Sequence, residues 1–166
     1  YFSLSPYWWP DPSKAHGLPY IRRDGEMNPE RDRVSDRKPV ESMIEDVGIL
    51  GQAYYFSGNE AYSAFAARLL RTWFLDEATR MNPNLNHGQM VRGRNTGKAG
   101  ALIGTRRFCL LVDSVGLIEG SESWTSVDQD KLQAWMSEFL DWLMESDFGK
   151  EESRARNNHG TSSDMQ

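Results

Sequence analysis

Three groups of residues in this sequence are suited to chemistry. The first is Asn157-Asn158-His159-Gly160, close to residue 166. Imidazole titrates near neutrality and a carboxamide donates hydrogen bonds without titrating, so a His beside Asn suits a general base whose neighbour polarises a substrate. The same residues also build ordinary surface turns. The second group is Asn86-His87-Gly88-Gln89 with Arg92 and Arg94 just beyond, where several donors converge in one loop. Arginines there, like Arg22 and Arg23, can grip carboxylates bidentately or simply solvate a loop. The third is Tyr7-Trp8-Trp9 between Pro6 and Pro10. Adjacent indoles on a loop offer flat faces to a sugar ring, and equally fill a core.

Other reactive residues carry less. His16 precedes Gly17 and reads as an exposed loop residue. Cys109 lies in the apolar stretch Phe108 to Val112 and is expected to be a buried packing thiol; as the single cysteine it forms no internal disulfide. No HxxxH, HxH or carboxylate cluster has metal-ligand spacing, so no metal site is expected. A phosphate-cradling glycine loop and a Gly-x-Ser-x-Gly elbow are also lacking.

The elements that must position these groups follow from periodicity. Residues 1–40 carry Pro6, Pro10, Pro12, Pro19, Pro29 and Pro39 among Tyr1, Phe2, Tyr7, Trp8, Trp9 and Tyr20. Proline breaks regular structure, while so many aromatics are too apolar to leave in water, so this reads as an ordered extended arm. From 41 the period is helical. Met43, Ile44, Val47, Leu50 and Tyr54 form one stripe, which stops at Ser57-Gly58-Asn59, where Gly58 suits a left-handed cap. Ala61, Tyr62, Phe65, Leu69, Trp73 and Phe74 form the next, and the short connection implies an antiparallel hairpin. Residues 80–97 read as a polar loop. A third helix is expected from Lys98 to Val115. A fourth starts at Ser126 with Gln129 completing a capping box, and has Leu132, Trp135, Met136, Phe139, Leu140 and Leu143 on its apolar face. With no clean period-two alternation, the expected fold class is all-α. After Phe148-Gly149 comes a charged stretch, Lys150 to Arg156, and then the Asn-Asn-His group. A polar group of that kind needs further chain around it, so 1–166 is expected to be one domain truncated at its C-terminus.

Composition excludes several classes. The chain has 166 residues, 19 Lys+Arg against 24 Asp+Glu and a net charge of −5. An electrostatically driven nucleic-acid binder needs cations massed on one face, so no nucleic-acid partner is expected. If the substrate is a polyanion, positive charge must be concentrated locally in its site. Mean hydropathy is −0.65, and no apolar run reaches the roughly 18 residues of a spanning helix, so no membrane partner is expected.

An ordered series of motifs spans nearly the whole sequence. It comprises Ser5-Pro6-Tyr7-Trp8-Trp9-Pro10, Tyr20-Ile21-Arg22-Arg23-Asp24-Gly25 with Asn28-Pro29-Glu30, Met81-Asn82-Pro83-Asn84-Leu85-Asn86, Gly93-Arg94 and Asn157-Asn158-His159-Gly160-Thr161. Together these resemble the alginate lyase superfamily of polysaccharide lyases. The resemblance implies an (α/α) toroid of antiparallel helical hairpins, here incomplete, with a groove for an anionic polyuronate such as alginate or glucuronan. It implies cleavage by β-elimination with no metal or organic cofactor. A group neutralises the C5 carboxylate, a base removes the C5 proton, and an acid protonates the leaving glycosidic oxygen. A donor on that carboxylate stabilises the enolate-like charge that develops, much as an oxyanion hole does.

By the resemblance, Asn158 neutralises the carboxylate and His159 is a candidate base. Tyr7, Trp8, Trp9, Asn86, His87, Gln89, Arg92, Arg94 and Asn157 are expected to bind substrate. The family's catalytic Tyr, with an Arg and a second His, comes from later helices, so the missing C-terminal half of the domain is an expected partner. After Thr161, where relatives tend to place bulky aromatics, this chain has Ser162-Ser163-Asp164. A non-catalytic uronate-binding helical module is the alternative. A glycoside hydrolase would need two opposed carboxylic acids, and nothing in the spacing of Asp24, Glu26 and Glu30 selects a pair. A polymeric substrate implies an extracellular or periplasmic location.

Overall fold

The computed structural model describes residues 1–155; Asn157, Asn158 and His159 lie outside the described residues. In chain order the elements are β1 (Phe2–Leu4), β2 (Trp8–Trp9), β3 (Ile21–Arg22), α1 (Glu30–Val34), α2 (Arg37–Ser57), α3 (Glu60–Leu70), a π-turn (Arg71–Leu75), β4 (His87–Met90), a 3-10 segment (Ala99–Thr105), α4 (Phe108–Gly116), α5 (Ser126–Glu145) and α6 (Asp147–Arg154). The fold is mostly helical, as the periodicity implies. The short strands are an addition: two to four residues of ladder are too few to leave an alternating pattern. No described helix is long and apolar enough to cross a membrane.

The chain divides into two compact units. The first contains residues 1–38, 84–104 and 143 onward. Here the arm is ordered by pairing. β1 runs parallel to β4, with Phe2 opposite His87 and Leu4 opposite Met90, so β4 carries one residue more than β1 over the same span, a bulge. Gln89, within it, has a φ of 52°. It is held there on three sides: its N–H donates to Ser3 Oγ (2.8 Å), its carbonyl accepts from Ser5 Oγ (2.7 Å), and its Nε2 donates to the Gly100 carbonyl (2.7 Å). β2 and β3 are antiparallel, with Trp8 opposite Arg22 and Trp9 opposite Ile21.

Buried Asn28 fastens the arm to α1. Its Nδ2 donates to the Trp8 carbonyl (2.9 Å), its N–H to the Pro6 carbonyl (2.8 Å), and its Oδ1 accepts from the Glu30 N–H (3.0 Å). The supposed polar loop is therefore a scaffold: β4 lies in it, and the Lys98 N–H donates to the Gly88 carbonyl at 3.1 Å. A Cβ on Gly97 would fall 2.1 Å from the Asn86 carbonyl oxygen, so only glycine lets these two stretches touch. The charged stretch after Phe148 is helix α6, capped by Ser146 Oγ on the Gly149 N–H (3.0 Å). Its buried residues are only Gly149 and Glu152, which gives no apolar stripe to recognise.

The second unit contains residues 39–83 and 105–142. Val40, Met43, Ile44, Val47 and Gly51 are the buried face of α2, close to the expected stripe. Gly58 takes the left-handed cap, with φ 65° and its N–H donating to the Tyr54 carbonyl at 2.8 Å. Asn59 Oδ1 then caps α3 on the Ala61 N–H (3.0 Å). The helix expected over 98–115 is interrupted between the 3-10 segment and α4, because Gly97, Gly100 and Gly104 weaken α-helix there. The capping box of α5 sits one residue earlier than expected: Thr125 N–H donates to Asp128 Oδ2 (3.0 Å) and Asp128 N–H to Thr125 Oγ1 (3.2 Å). Cys109 is exposed, not a core thiol. The buried face of α4 is Phe108, Leu111, Ser114 and Val115, which turns its neighbour Cys109 outward.

Phe74, Phe108, Trp135 and Phe139 form the centre of this unit, with Phe74 and Trp135 4.7 Å apart edge-on and Trp135 stacked on Phe139 at 5.4 Å. Such pairs add about 0.5–1.5 kcal/mol each beyond their burial. The Trp135 indole is satisfied by the Met81 carbonyl at 2.8 Å.

Candidate substrate-binding site

All the expected substrate-binding residues that the structure describes belong to the first unit. They fall into separate roles. Arg94 is exposed; its Nε donates to the Tyr20 carbonyl at 2.7 Å, and its guanidinium lies 5.0 Å from the centre of the Trp8 ring. One nitrogen and one face thus fix the fork, and the terminal nitrogens have no protein acceptor among the described residues. That is how an arginine is presented to a carboxylate.

Arg92 is placed differently. Its Nε (2.9 Å) and Nη2 (2.8 Å) both reach Glu30 Oε1, while Glu30 Oε2 accepts from the Tyr20 hydroxyl at 2.7 Å. Tyr20 is buried, and that burial, with the Glu30 carboxylate beside it, pushes its hydroxyl pKa up. The trio fixes the segment whose carbonyl holds Arg94.

The two indoles also differ. Trp8 lines a small niche with Leu4, Ser5, Tyr20, Asn28 and Met90. Trp9 donates through Nε1 to the Glu26 carbonyl at 2.9 Å and carries the Arg23 guanidinium 5.4 Å from its ring centre. Tyr7 is exposed, with its carbonyl accepting from the Arg23 N–H at 2.8 Å. Asn86 and His87 are exposed at the start of β4, and Gln89 is engaged in the bulge described above. His16 is exposed, as its loop position suggests.

Residues that local chemistry did not single out include Tyr20, Asn28 and Lys98. Tyr20 and Asn28 stood in the motif series without a role, and Glu30 was weighed only as one acid of a hydrolase pair; the hydrogen bonds give all three a structural one. Lys98 is half-buried, and desolvation first, then the positive Arg22, lowers its pKa. Among the described residues no group of three or more His, Cys, Asp or Glu side chains is arranged to hold a metal.

The sequence model described as alginate lyase matches residues 1–166. The chain is similar to an alginate lyase from Bacteroides ovatus whose crystal structure is solved, with 44% identity and a TM-score of 0.90. That likeness covers 96% of this chain and 42% of the Bacteroides chain, so the chain spans less than half the length of that relative. No curated protein matches. With its full length covered by the family's sequence pattern, the chain belongs to the alginate lyase family.

Proposed function

We propose that this chain supplies the arm and part of the groove of a polysaccharide lyase that cleaves an anionic polyuronate, alginate or glucuronan, by β-elimination. The observation that carries the proposal is the family match over residues 1–166; Arg94, seated on Trp8 with its fork open, supports it from the site. The domain is an (α/α) toroid of antiparallel helical hairpins, of which residues 1–166 are a part. The share of the Bacteroides relative that is covered, 42%, supports that reading.

In the proposed site Arg94 grips a uronate carboxylate, with Trp8 backing its guanidinium and Arg92, Glu30 and Tyr20 fixing the segment beneath it. Tyr7 and Trp9 flank sugar rings, and Asn86, His87, Gln89 and Asn157 complete the polar lining. Asn158 hydrogen-bonds the carboxylate of the reacting residue. His159 takes the C5 proton; the electron pair becomes the C4–C5 double bond, and the bond from C4 to the glycosidic oxygen breaks. A tyrosine from later helices returns a proton to that oxygen. The polymeric substrate places the enzyme outside the cytoplasm, in the extracellular space or periplasm.

The test follows the ultraviolet absorbance of the conjugated unsaturated uronate. Poly-mannuronate, poly-guluronate and glucuronan are incubated with this chain and with the chain extended through the rest of its gene. Rising absorbance with the extended protein, lost in Asn158→Ala and His159→Ala, is the expected result. A folded extended protein that binds these polymers yet produces no absorbance on any of them refutes the lyase reading and leaves a binding module.

A further inference from the structure

The Arg94 fork is held at two points, the Tyr20 carbonyl on its Nε at 2.7 Å and the Trp8 ring 5.0 Å from its guanidinium. The first point is fixed by main chain: the Tyr20 N–H donates to the Arg92 carbonyl at 3.0 Å. The second needs a brace. β2 and β3 pair over only two residues each, too short a ladder to fix a strand by itself. Trp9 secures its own ring through Nε1 on the Glu26 carbonyl at 2.9 Å, and among the described residues the Trp8 indole N–H has no such acceptor.

Asn28 supplies the brace. It is 6% exposed; its Nδ2 donates to the Trp8 carbonyl at 2.9 Å, and its Oδ1 accepts from the Glu30 N–H at 3.0 Å. Its N–H donates to the Pro6 carbonyl (2.8 Å) and its carbonyl accepts from the Arg31 N–H (3.3 Å). Both ends of the carboxamide and both main-chain groups are thus committed to protein, so Asn28 acts on a ligand only through what it holds. Among side chains of this size only a carboxamide offers a donor and an acceptor together; a carboxylate lacks the donor that Trp8 needs. The α1 end of the brace adds no apolar core, since α1 has five residues and buries none. The consequence falls on the Trp8 end, where the ring meets Arg94.

We propose that Asn28 is a positioning residue for uronate recognition: by holding the Trp8 main chain it sets the ring against which Arg94 presents its open nitrogens to a carboxylate. The proposal rests on the polyuronate reading and on Arg94 as a uronate ligand. A binding fork works only within about 0.5 Å of its productive geometry, and it is kept there by groups that never touch the ligand.

A double-mutant cycle in the extended protein separates positioning from general stability. Wild type, Asn28→Ser, Arg94→Met and the double variant are titrated calorimetrically with an oligo-uronate and with the same oligosaccharide reduced to neutral sugars, each well below its own denaturation midpoint. Serine can still accept from the Glu30 N–H, as in a serine turn, but is too short to reach the Trp8 carbonyl, so the start of α1 keeps its bond. Arg94→Met should lose about tenfold in affinity and Asn28→Ser about fivefold. The double variant should bind within about twofold of Arg94→Met alone, because the group that Asn28 positions is already gone. The neutral oligosaccharide should not distinguish Asn28→Ser from the wild type. As a second readout, without ligand, the magnetic resonance signal of the Arg94 Nε–H, identified by its absence from Arg94→Met, should shift in Asn28→Ser. An additive loss in the double variant, or an unmoved Arg94 signal, makes Asn28 a structural residue only and overturns the proposal while keeping the polyuronate reading. Unchanged affinity in Asn28→Ser with a tenfold loss in Arg94→Met does the same. Wild-type protein that does not distinguish the charged ligand from the neutral one overturns both.

Discussion

Arg92→Met removes a guanidinium whose Nε donates to one Glu30 oxygen at 2.9 Å and whose Nη2 is ion-paired with the same oxygen at 2.8 Å, while the companion oxygen accepts from Tyr20 at 2.7 Å. The Arg92 side chain is 38% exposed and that of Glu30 29%. Solvent screens such a pair, and the abandoned carboxylate rehydrates and keeps its tyrosine, so the penalty of a fully buried orphan charge does not apply. The expected loss is about 1 kcal/mol, the upper end for exposed pairs. For a chain of this size that is a drop of about 2–4 °C in Tm. Urea denaturation should show a lower midpoint at unchanged slope. Glu30→Gln added to Arg92→Met should cost less than Glu30→Gln alone, since the pair is already broken. Calorimetry with an oligo-uronate should show affinity within about twofold of wild type, a change of under about 0.5 kcal/mol. Arg94→Met should differ in affinity, down about tenfold, while its stability falls by about 1 kcal/mol, since it gives up one main-chain hydrogen bond and the contact with the Trp8 ring. An Arg92→Met protein of wild-type stability that loses tenfold in affinity refutes the division of labour between the two arginines.

Two further outcomes test the scaffold. Arg71 donates to both oxygens of Asp128, at 2.9 and 2.6 Å, and Thr125 adds its hydroxyl at 2.6 Å, so Asp128→Asn should lower stability by about 2 kcal/mol at neutral pH. Hydrogen bonding to Arg71, the largest cause, holds the Asp128 carboxyl far below the usual carboxylate range; its contribution is complete above the unfolded value of about 4 and fades as pH falls below it, so the denaturation midpoints of the two proteins should converge only under acid. Gly97→Ala places a Cβ 2.1 Å from the Asn86 carbonyl oxygen and should cost about 1–3 kcal/mol through forced backbone movement, with denaturation midpoint and oligo-uronate affinity falling together.

The helices were legible because their stripes are long. Val40, Met43, Ile44 and Val47 repeat at helical spacing and are buried, and Gly58 and Asn59 carry recognisable cap chemistry. Helix α6 was not, because a stripe needs apolar residues and its buried positions are Gly149 and Glu152. The strands were hidden for a different reason: the β1–β4 pairing joins residues more than eighty positions apart, and no local pattern reports a partner that distant. The same limit governs the site. Arg92 and Arg94 are indistinguishable as residue types two positions apart, yet one meets Glu30 from α1 and the other the Tyr20 carbonyl from the arm. The aromatic motif was read as two equivalent indoles, whereas Trp8 lines a niche and backs Arg94, and Trp9 faces Arg23.

Charge matching explains why the arginines divide. Along the arm and the β4 region, Asp24 takes Arg22 at 2.8 Å, Glu26 takes Arg23 at 3.6 Å and Glu30 takes Arg92 at 2.8 Å. These acids spend their charge holding the loop, and the cations they hold are correspondingly weaker ligands for another anion. Arg94 and Lys98 have no acid among the described residues, although the chain as a whole carries an excess of acids. An acidic protein that must bind a polyanion repels it everywhere except where cations stand unmatched. Arg94, seated on Trp8 with its terminal nitrogens open, is therefore expected to matter more to recognition of the uronate chain than the paired Arg22, Arg23 and Arg92.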